Sequence, residues 1–101
     1  MESLFAYGTL CDETVQRTVF GRSLEGVPDA ILGYQLGSIT INGKIYRTLD
    51  QSRHESDAVE GRVFRLSAAE LVLADAYETK AYRRVRARLR SETDAWVYVR
   101  A

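Results

Sequence analysis

The first apolar stretch of the chain is short and ends in a glycine. Residues 4–7 read LFAY and are followed by Gly8. An apolar run of this length, bounded by a turn residue, predicts a buried strand that ends in a tight turn. Asp12 is a favourable N-cap for a short helix that ends near Phe20, and Gly21 is a suitable residue to stop it.

The middle of the chain predicts strands joined by a tight turn. Residues 27–36 predict a strand that begins at the only proline, Pro28, where a missing amide donor is tolerated. Residues 39–46 place Asn42-Gly43 between alternating apolar positions. This pair is a strong hairpin signal because both turn residues need a positive φ.

A polar segment separates this hairpin from the second half of the chain. Residues 50–57 are polar throughout and predict a surface loop, and residues 59–66 predict a further strand. Ser67 and Glu70 form a capping-box pattern, because each side chain can bond the other residue's amide. A helix is therefore predicted over residues 68–77, with buried positions at Leu71, Ala74 and Tyr77.

The last part of the chain predicts a pair of strands. Residues 82–90 alternate arginine with Val85, Ala87 and Leu89, which is typical of a half-buried strand. Residues 95–99 predict a final strand that pairs with it. Because helices do not alternate regularly with strands, the order predicts an α+β fold with a largely antiparallel sheet that can curl into a barrel.

Composition limits the function classes. A length of 101 residues fits one domain, residues 1–101. Balanced charge, with 14 Lys+Arg and 14 Asp+Glu, removes the long-range field of a general nucleic-acid or anionic-membrane binder. Cys11 cannot form an internal disulfide, and no apolar run reaches the ~20 residues of a membrane span. The expectation is a cytoplasmic protein that contacts no membrane.

Tyr7-Gly8-Thr9-Leu10 is the first segment that could carry chemistry. A strand that ends in a glycine turn can point several backbone N–H groups into one concavity and bind a carboxylate or an oxyanion. Gly8 would permit either a positive φ or the close approach of a ligand. The alternative is an ordinary loop after a strand.

Glu78 and Tyr82 are the second candidates. The negative end of the helix dipole lies at the helix C-terminus and disfavours a carboxylate there. The unfavourable position of Glu78 therefore favours a functional role for this residue. The alternative is a solvated glutamate paired with Lys80 or Arg83. Tyr82 could offer its hydroxyl to a ligand while its ring walls a pocket, or it could serve packing alone.

The sequence gives less support for phosphate binding, a metal site or a cysteine nucleophile. The arginine-rich strand 83–90 could lie against phosphates, but a solvated sheet face that discourages edge pairing is the better interpretation. His54 lacks partners for a metal site, and Cys11 lacks a histidine that would support a nucleophile. The sequence therefore predicts no metal site.

Five segments, taken in order, resemble the gamma-glutamyl cyclotransferase-like superfamily. They are residues 5–10 (FAYGTL), 30–34 (AILGY), 59–64 (VEGRVF), 75–78 (DAYE) followed by Tyr82-Arg83, and 95–99 (AWVYV). The match runs nearly end to end. It implies a small mixed, largely antiparallel β-barrel flanked by short helices.

The resemblance also implies a reaction, the release of 5-oxoproline from a gamma-glutamyl amine, amino acid or metabolite. The α-amine of the substrate attacks its own γ-carbonyl, so the protein supplies orientation and proton transfer. Glu78 would be the general acid/base. The amides of Gly8, Thr9 and Leu10 would hold the α-carboxylate or the oxyanion, and Tyr7 and Tyr82 would complete a substrate site that needs no metal or organic cofactor.

The chain departs from the usual family pattern at three positions. Thr79 replaces a glycine, so the loop around Glu78 is expected to differ in shape; Arg47 stands where a proline is frequent, and Arg62 replaces a frequent glutamate. Two alternatives stay open: a binding module of the same fold without turnover, and nucleic-acid contact through residues 83–90. A monomer and a homodimer are equally compatible with the sequence.

Overall fold

A computed structural model describes residues 1–101. The chain forms seven β-strands, two α-helices and one 3-10 helix. In chain order they are β1 (Glu2–Ala6), the 3-10 helix (Thr9–Cys11), α1 (Glu13–Phe20), β2 (Gly26–Leu32), β3 (Tyr34–Ile41), β4 (Lys44–Gln51), β5 (Ala58–Leu66), α2 (Ala68–Glu78), β6 (Tyr82–Arg88) and β7 (Asp94–Arg100). The predicted α+β class is confirmed.

The main sheet has the strand order β2-β5-β1-β7-β6, and β3 and β4 form a separate hairpin. Only β1 and β7 run parallel, so the sheet is largely antiparallel as predicted. The two ends of the sheet curl towards each other, and a single β-bridge joins Ile31 to Leu89. The Arg90 amide also donates to the Ala30 carbonyl at 2.8 Å. The result is a barrel that is only partly closed.

Two apolar clusters cover the two faces of β1. Leu4 and Ala6 pack into a cluster with α2, whereas Phe5 points to the other face and packs against the hairpin side. All three side chains are at most 5% exposed. A strand buried on both faces reads as a continuous apolar run, which is why residues 4–7 lack alternation.

The helix-start signals are confirmed. The Asp12 carboxylate accepts from the amides of Thr14 at 2.8 Å and Val15 at 3.4 Å, and Gly21 ends α1 with φ of 74°. Ser67 and Glu70 form the predicted capping box at the start of α2. The prediction that Tyr77 is buried is wrong, since this side chain is 37% exposed.

The Asn42-Gly43 hairpin is confirmed, with φ of 51° and 79° at its two turn residues. The prediction of one strand over residues 27–36 is wrong. Gly33 adopts φ of 79° and separates β2 from β3. The predicted polar loop is also shorter than residues 50–57, because Asp50 and Gln51 continue β4.

Candidate functional site

One cavity of about 1000 Å³ lies where β1, the 3-10 helix, the start of β4, the end of α2 and the start of β6 come together. Twelve of its 19 lining residues are hydrophobic. The lining includes all six residues that the sequence singled out, namely Tyr7, Gly8, Thr9, Leu10, Glu78 and Tyr82. The fold thus brings together two segments that lie about 70 residues apart in the chain.

Three backbone amides at this cavity have no protein partner. The turn is closed by bonds from the Cys11 amide to the Gly8 carbonyl at 3.0 Å and from the Asp12 amide to the Thr9 carbonyl at 2.9 Å. The amides of Gly8, Thr9 and Leu10 take part in none of the hydrogen bonds of the fold. Free N–H groups at the start of a helical turn can bind an anion or an oxyanion.

Gly8 does not need a positive φ. Its φ is −129°, so one of the two roles expected for this glycine is wrong. A Cβ added at Gly8 would meet no protein atom within 4 Å. Open space beside the backbone fits the second expected role, the close approach of a ligand.

Tyr7 fixes the chain immediately before this turn. Its hydroxyl donates to the Tyr98 carbonyl at 2.7 Å. Burial raises the pKa of the Tyr7 hydroxyl far above its usual value, and the nearby Tyr82 and Glu78 raise it further. The hydroxyl therefore stays protonated and acts as a donor.

Glu78 is the last residue of α2 and is half-buried. Its carboxylate forms no hydrogen bond and no ion pair with the protein, so the alternative of a pair with Lys80 or Arg83 is wrong. Burial raises the pKa of Glu78 to about 7. At neutral pH this carboxyl group can both accept and give a proton, as a general acid/base must.

Thr79 ends α2 in a backbone conformation that glycine favours. Its φ is 64° and its ψ is −169°. Residues with a Cβ rarely adopt this region, which costs of order 1–3 kcal/mol. Thr79 itself takes up this glycine-like geometry, so the backbone after Glu78 follows a path that glycine would adopt without strain.

Asp75, one helical turn before Glu78, is held on two sides. It accepts from the Tyr98 hydroxyl at 2.7 Å and from Arg84 Nε at 2.8 Å. Burial alone would raise the pKa of Asp75, but the hydrogen bonds from Arg84 and Tyr98 outweigh it and lower the value. This network joins the end of α2 to β6 and β7 and so fixes the turn that carries Glu78.

Tyr82 lines the cavity, but its hydroxyl proton is already used. The hydroxyl donates to the Arg47 carbonyl at 2.8 Å. Burial, followed by the charge of Glu78, raises the pKa of Tyr82. The oxygen of this hydroxyl can still accept a hydrogen bond, and the Tyr82 ring walls the cavity.

Sequence reasoning missed several residues of the cavity. Tyr77 reaches the Thr9 hydroxyl at 2.7 Å, Tyr98 lines the wall, and Lys44 and Arg47 enter from the hairpin. No local pattern marks them, because they meet Gly8 only through long-range strand pairing and helix packing.

The arginine-rich strand 83–90 is engaged within the fold. Arg84 pairs with Asp75, Arg88 with Asp94 and Arg90 with Glu60. Arg84 and Arg86 also lie over the Trp96 ring, at 4.3 Å and 4.8 Å from its centroid. These contacts give the strand a structural role as a charged outer face, the interpretation favoured above.

The remaining reactive side chains are isolated. The Cys11 thiol donates to the Ala6 carbonyl at 3.3 Å, and burial raises its pKa. No three His, Cys, Asp or Glu side chains come together in an arrangement that could hold a metal ion. Neither helix has the length and apolar character needed to cross a membrane.

The fold and the site together define a small α+β protein whose cavity is lined by free backbone amides and an unpaired carboxylate. The family model "Gamma-glutamyl cyclotransferase, AIG2-like" matches residues 4–101. The chain belongs to this family. A comparison with curated proteins gives no match.

Solved structures agree with this assignment. Two solution structures of Arabidopsis thaliana proteins superimpose with TM-scores of 0.79 and 0.80 at 26% and 27% identity, and 98% of this chain is covered in both. The chain spans 61% of the first plant protein and 68% of the second. A structure named gamma-glutamyl cyclotransferase has a TM-score of 0.79 at 16% identity, covering 99% of this chain and 66% of that one, and so shares the fold.

Proposed function

We propose that this chain is a gamma-glutamyl cyclotransferase-type enzyme. It releases 5-oxoproline from a gamma-glutamyl amine, amino acid or metabolite, with Glu78 as the general acid/base. The observation that carries the proposal is the unpaired Glu78 carboxylate, with a pKa raised by burial to about 7, in the same cavity as three free backbone amides. Membership of the family supports the reaction class.

The reaction suits this set of groups because the nucleophile is part of the substrate. Glu78 takes one proton from the α-ammonium group, and the freed amine attacks the γ-carbonyl carbon to close a five-membered ring. The new C–N bond places negative charge on the carbonyl oxygen. The ring nitrogen then loses a second proton to solvent.

Collapse of this intermediate breaks the original amide C–N bond. Protonated Glu78 returns its proton to the leaving nitrogen, and solvent supplies the second proton of the ammonium product. The products are 5-oxoproline and a free amine. No step calls for a metal or an organic cofactor.

The amides of Gly8, Thr9 and Leu10 bind the α-carboxylate or the developing oxyanion. Leu10 contributes only its backbone, because its side chain is 3% exposed and belongs to the core. Tyr7 and Tyr82 hold the walls of the cavity through their bonds to Tyr98 and Arg47. Substrate orientation is therefore built into the fold before binding.

The test is product analysis with a panel of gamma-glutamyl amines and amino acids. We expect 5-oxoproline and the free amine in equal amounts from at least one compound. A chain that is stabilised thermally by these compounds but releases no product would be the binding module instead. Retention on RNA with a steep salt dependence would favour the nucleic-acid alternative.

We also propose that the chain works as one domain over residues 1–101, as a monomer or homodimer. The free thiol of Cys11 fits a reducing compartment such as the cytoplasm. Its partner is a small gamma-glutamyl substrate, with no nucleic acid and no membrane.

A further inference from the structure

Gln16 is a buried polar side chain that lies behind the turn at residues 8–11. It belongs to α1, is 2% exposed and does not line the cavity. Thr48 is the only other polar side chain that is buried. Burying an amide group costs free energy unless its polar atoms have hydrogen-bond partners. The partners of Gln16 therefore show what this side chain holds in place.

Both polar atoms of the Gln16 side chain are bonded to the backbone. Its Oε1 accepts from the Leu24 amide at 2.8 Å, and its Nε2 donates to the Leu10 carbonyl at 2.9 Å. A backbone N–H can only donate and a backbone C=O can only accept. These partners fix the orientation of the Gln16 amide group, with its oxygen towards Leu24 and its nitrogen towards Leu10.

The bond from Gln16 to Leu10 continues into the turn. The Leu10 carbonyl shares a peptide group with the Cys11 N–H, which donates to the Gly8 carbonyl at 3.0 Å. The Gly8 carbonyl shares a peptide group with the Thr9 N–H, one of the three free amides at the cavity. Three amide groups are thus joined head to tail, and the chain of hydrogen bonds ends in a free N–H.

Hydrogen bonds that are joined in this way polarise one another. A carbonyl that accepts a bond makes the N–H of the same peptide group a stronger donor, by about 10–30% per bond. Gln16 therefore both orients the Thr9 N–H and raises its strength as a donor. The free Leu10 N–H belongs to a different chain, because the carbonyl of its peptide group, that of Thr9, accepts from the Asp12 amide at 2.9 Å.

We propose that Gln16 is a positioning residue for the cavity, which orients and polarises the Thr9 N–H towards a negatively charged oxygen of the ligand. It acts through the peptide groups of the turn and does not touch the ligand itself. Its effect on turnover rests on the proposed cyclotransferase function. Its effect on the Thr9 N–H does not, so the two can be tested apart.

The first test compares amide proton resonances of the ligand-free wild type and Gln16→Met by nuclear magnetic resonance. Methionine is unbranched and of similar length, but it has no N–H to donate. In Gln16→Met we expect the Thr9 amide proton to move upfield, and to move further than the Leu10 amide proton. An unchanged Thr9 resonance, or equal shifts of the two protons, would overturn the proposal.

Thr48→Val is the matched control, because it removes the bonds of the other buried polar side chain. The Thr48 hydroxyl donates to Asp50 at 3.1 Å and accepts from Arg100 at 3.0 Å. Its loss should lower the Tm, as the loss of the Gln16 bonds does, but should leave the Thr9 amide proton unchanged. A Thr9 shift as large in Thr48→Val as in Gln16→Met would mean a general loosening of the fold and would overturn the proposal.

The second test measures 5-oxoproline release by the same variants. Loss of a whole oxyanion donor costs about 10²–10³ in kcat, so a donor that is kept but weakened should cost less. We expect Gln16→Met to lose about tenfold in kcat/KM, and Thr48→Val to stay within about twofold of the wild type. A fall in kcat would assign the Thr9 N–H to the oxyanion, and a rise in KM would assign it to the α-carboxylate. Unchanged kcat and KM in folded Gln16→Met would overturn the role of Gln16 in turnover.

The wild type decides if Gln16→Met does not fold. Scalar couplings are then expected across the two hydrogen bonds from Gln16 Nε2 to Leu10 and from the Cys11 amide to Gly8, and the absence of either would overturn the proposal. A Thr9 shift in a chain that releases no product would support the role of Gln16 while the proposed function fails. Turnover by the wild type without a Thr9 shift in Gln16→Met would leave the function standing and overturn this inference.

Discussion

The Tyr7 hydroxyl donates a hydrogen bond to the Tyr98 carbonyl at 2.7 Å, across 91 positions of the chain. β1 and β7 are parallel neighbours, so this bond joins the end of the first strand to the last strand. The Tyr98 hydroxyl in turn donates to Asp75, one turn before Glu78. Through these two bonds, Tyr98 links the residue before Gly8 to the end of the helix that carries Glu78.

Replacing Tyr7 by phenylalanine removes only the hydroxyl. We expect Tyr7→Phe to lower the free energy of unfolding by about 1 kcal/mol, which is the net contribution of one such hydrogen bond. Turnover should also fall, because the turn at Gly8 loses its support. Urea denaturation and 5-oxoproline release measure the two effects. The control is Tyr34→Phe, whose hydroxyl has no partner in the fold and whose loss should change neither quantity. Equal effects from both variants would contradict the role of the Tyr7 bond.

Thr79 stores backbone strain beside Glu78. Glycine at this position removes the cost of a Cβ at φ of 64°, although it adds freedom to the unfolded chain. Since the strain costs of order 1–3 kcal/mol and the added freedom roughly 0.5–1 kcal/mol, we expect Thr79→Gly to stabilise the fold by about 1 kcal/mol.

Thr79→Ala is the matched control for this change. It keeps the Cβ and removes the hydroxyl, so it should give no stabilisation. Urea denaturation compares the three chains. A glycine variant that is less stable than the alanine variant would mean that the conformation at position 79 is not strained.

Glu78 should make stability depend on pH. Its pKa is about 7 in the folded chain and has a reference value of 4.5, so the folded state binds this proton more tightly than the unfolded state. The stabilising contribution of protonated Glu78 to the free energy of unfolding is fully present below pH 4.5 and is lost as the pH rises through 7. Glu78→Gln should therefore be more stable than the wild type at pH 8, by about 1–3 kcal/mol, and near it at pH 4.

Urea denaturation at these two pH values measures the difference. Glu55→Gln is the control, because Glu55 is exposed and has no hydrogen bond or ion pair in the fold. If the gain in the free energy of unfolding of Glu78→Gln over the wild type is the same at both pH values, ionisation of Glu78 does not destabilise the fold.

The rate of turnover should follow the same ionisation. If Glu78 removes the proton from the substrate ammonium, it must be ionised in the free enzyme. We expect kcat/KM to fall on the acid side with an apparent pKa near 7. A pH-rate profile with the acid limb near the ordinary glutamate value would assign this step to another group.

Local signals predicted most of the elements. Asp12, Ser67 and Asn42-Gly43 each place their own cap or turn through bonds to neighbouring residues. The break at Gly33 has no local signal, because Leu32 before it and Tyr34 after it both fit a continuous strand. Its positive φ depends on the pairing of β2 with β5 and of β3 with β4, which the sequence does not show locally.

The candidate site was partly accessible from the sequence. The family resemblance pointed to Gly8 and Glu78, and the fold brings both to one cavity. Lys44 and Arg47 could not be found in this way, because their position depends on how the hairpin packs against β6 and β7. The partners of the arginine-rich strand were equally hidden, since Asp75 and Trp96 lie on other elements.

The most direct measurement compares 5-oxoproline release by the wild type, Glu78→Gln and Glu55→Gln across the same panel of gamma-glutamyl compounds. We expect the wild type and Glu55→Gln to release product at the same rate. Glu78→Gln should remain folded, bind the same compounds and lose turnover by at least about a hundredfold, as expected for a lost general acid/base. Turnover by Glu78→Gln at the rate of the wild type would contradict the assignment of Glu78 as the acid/base.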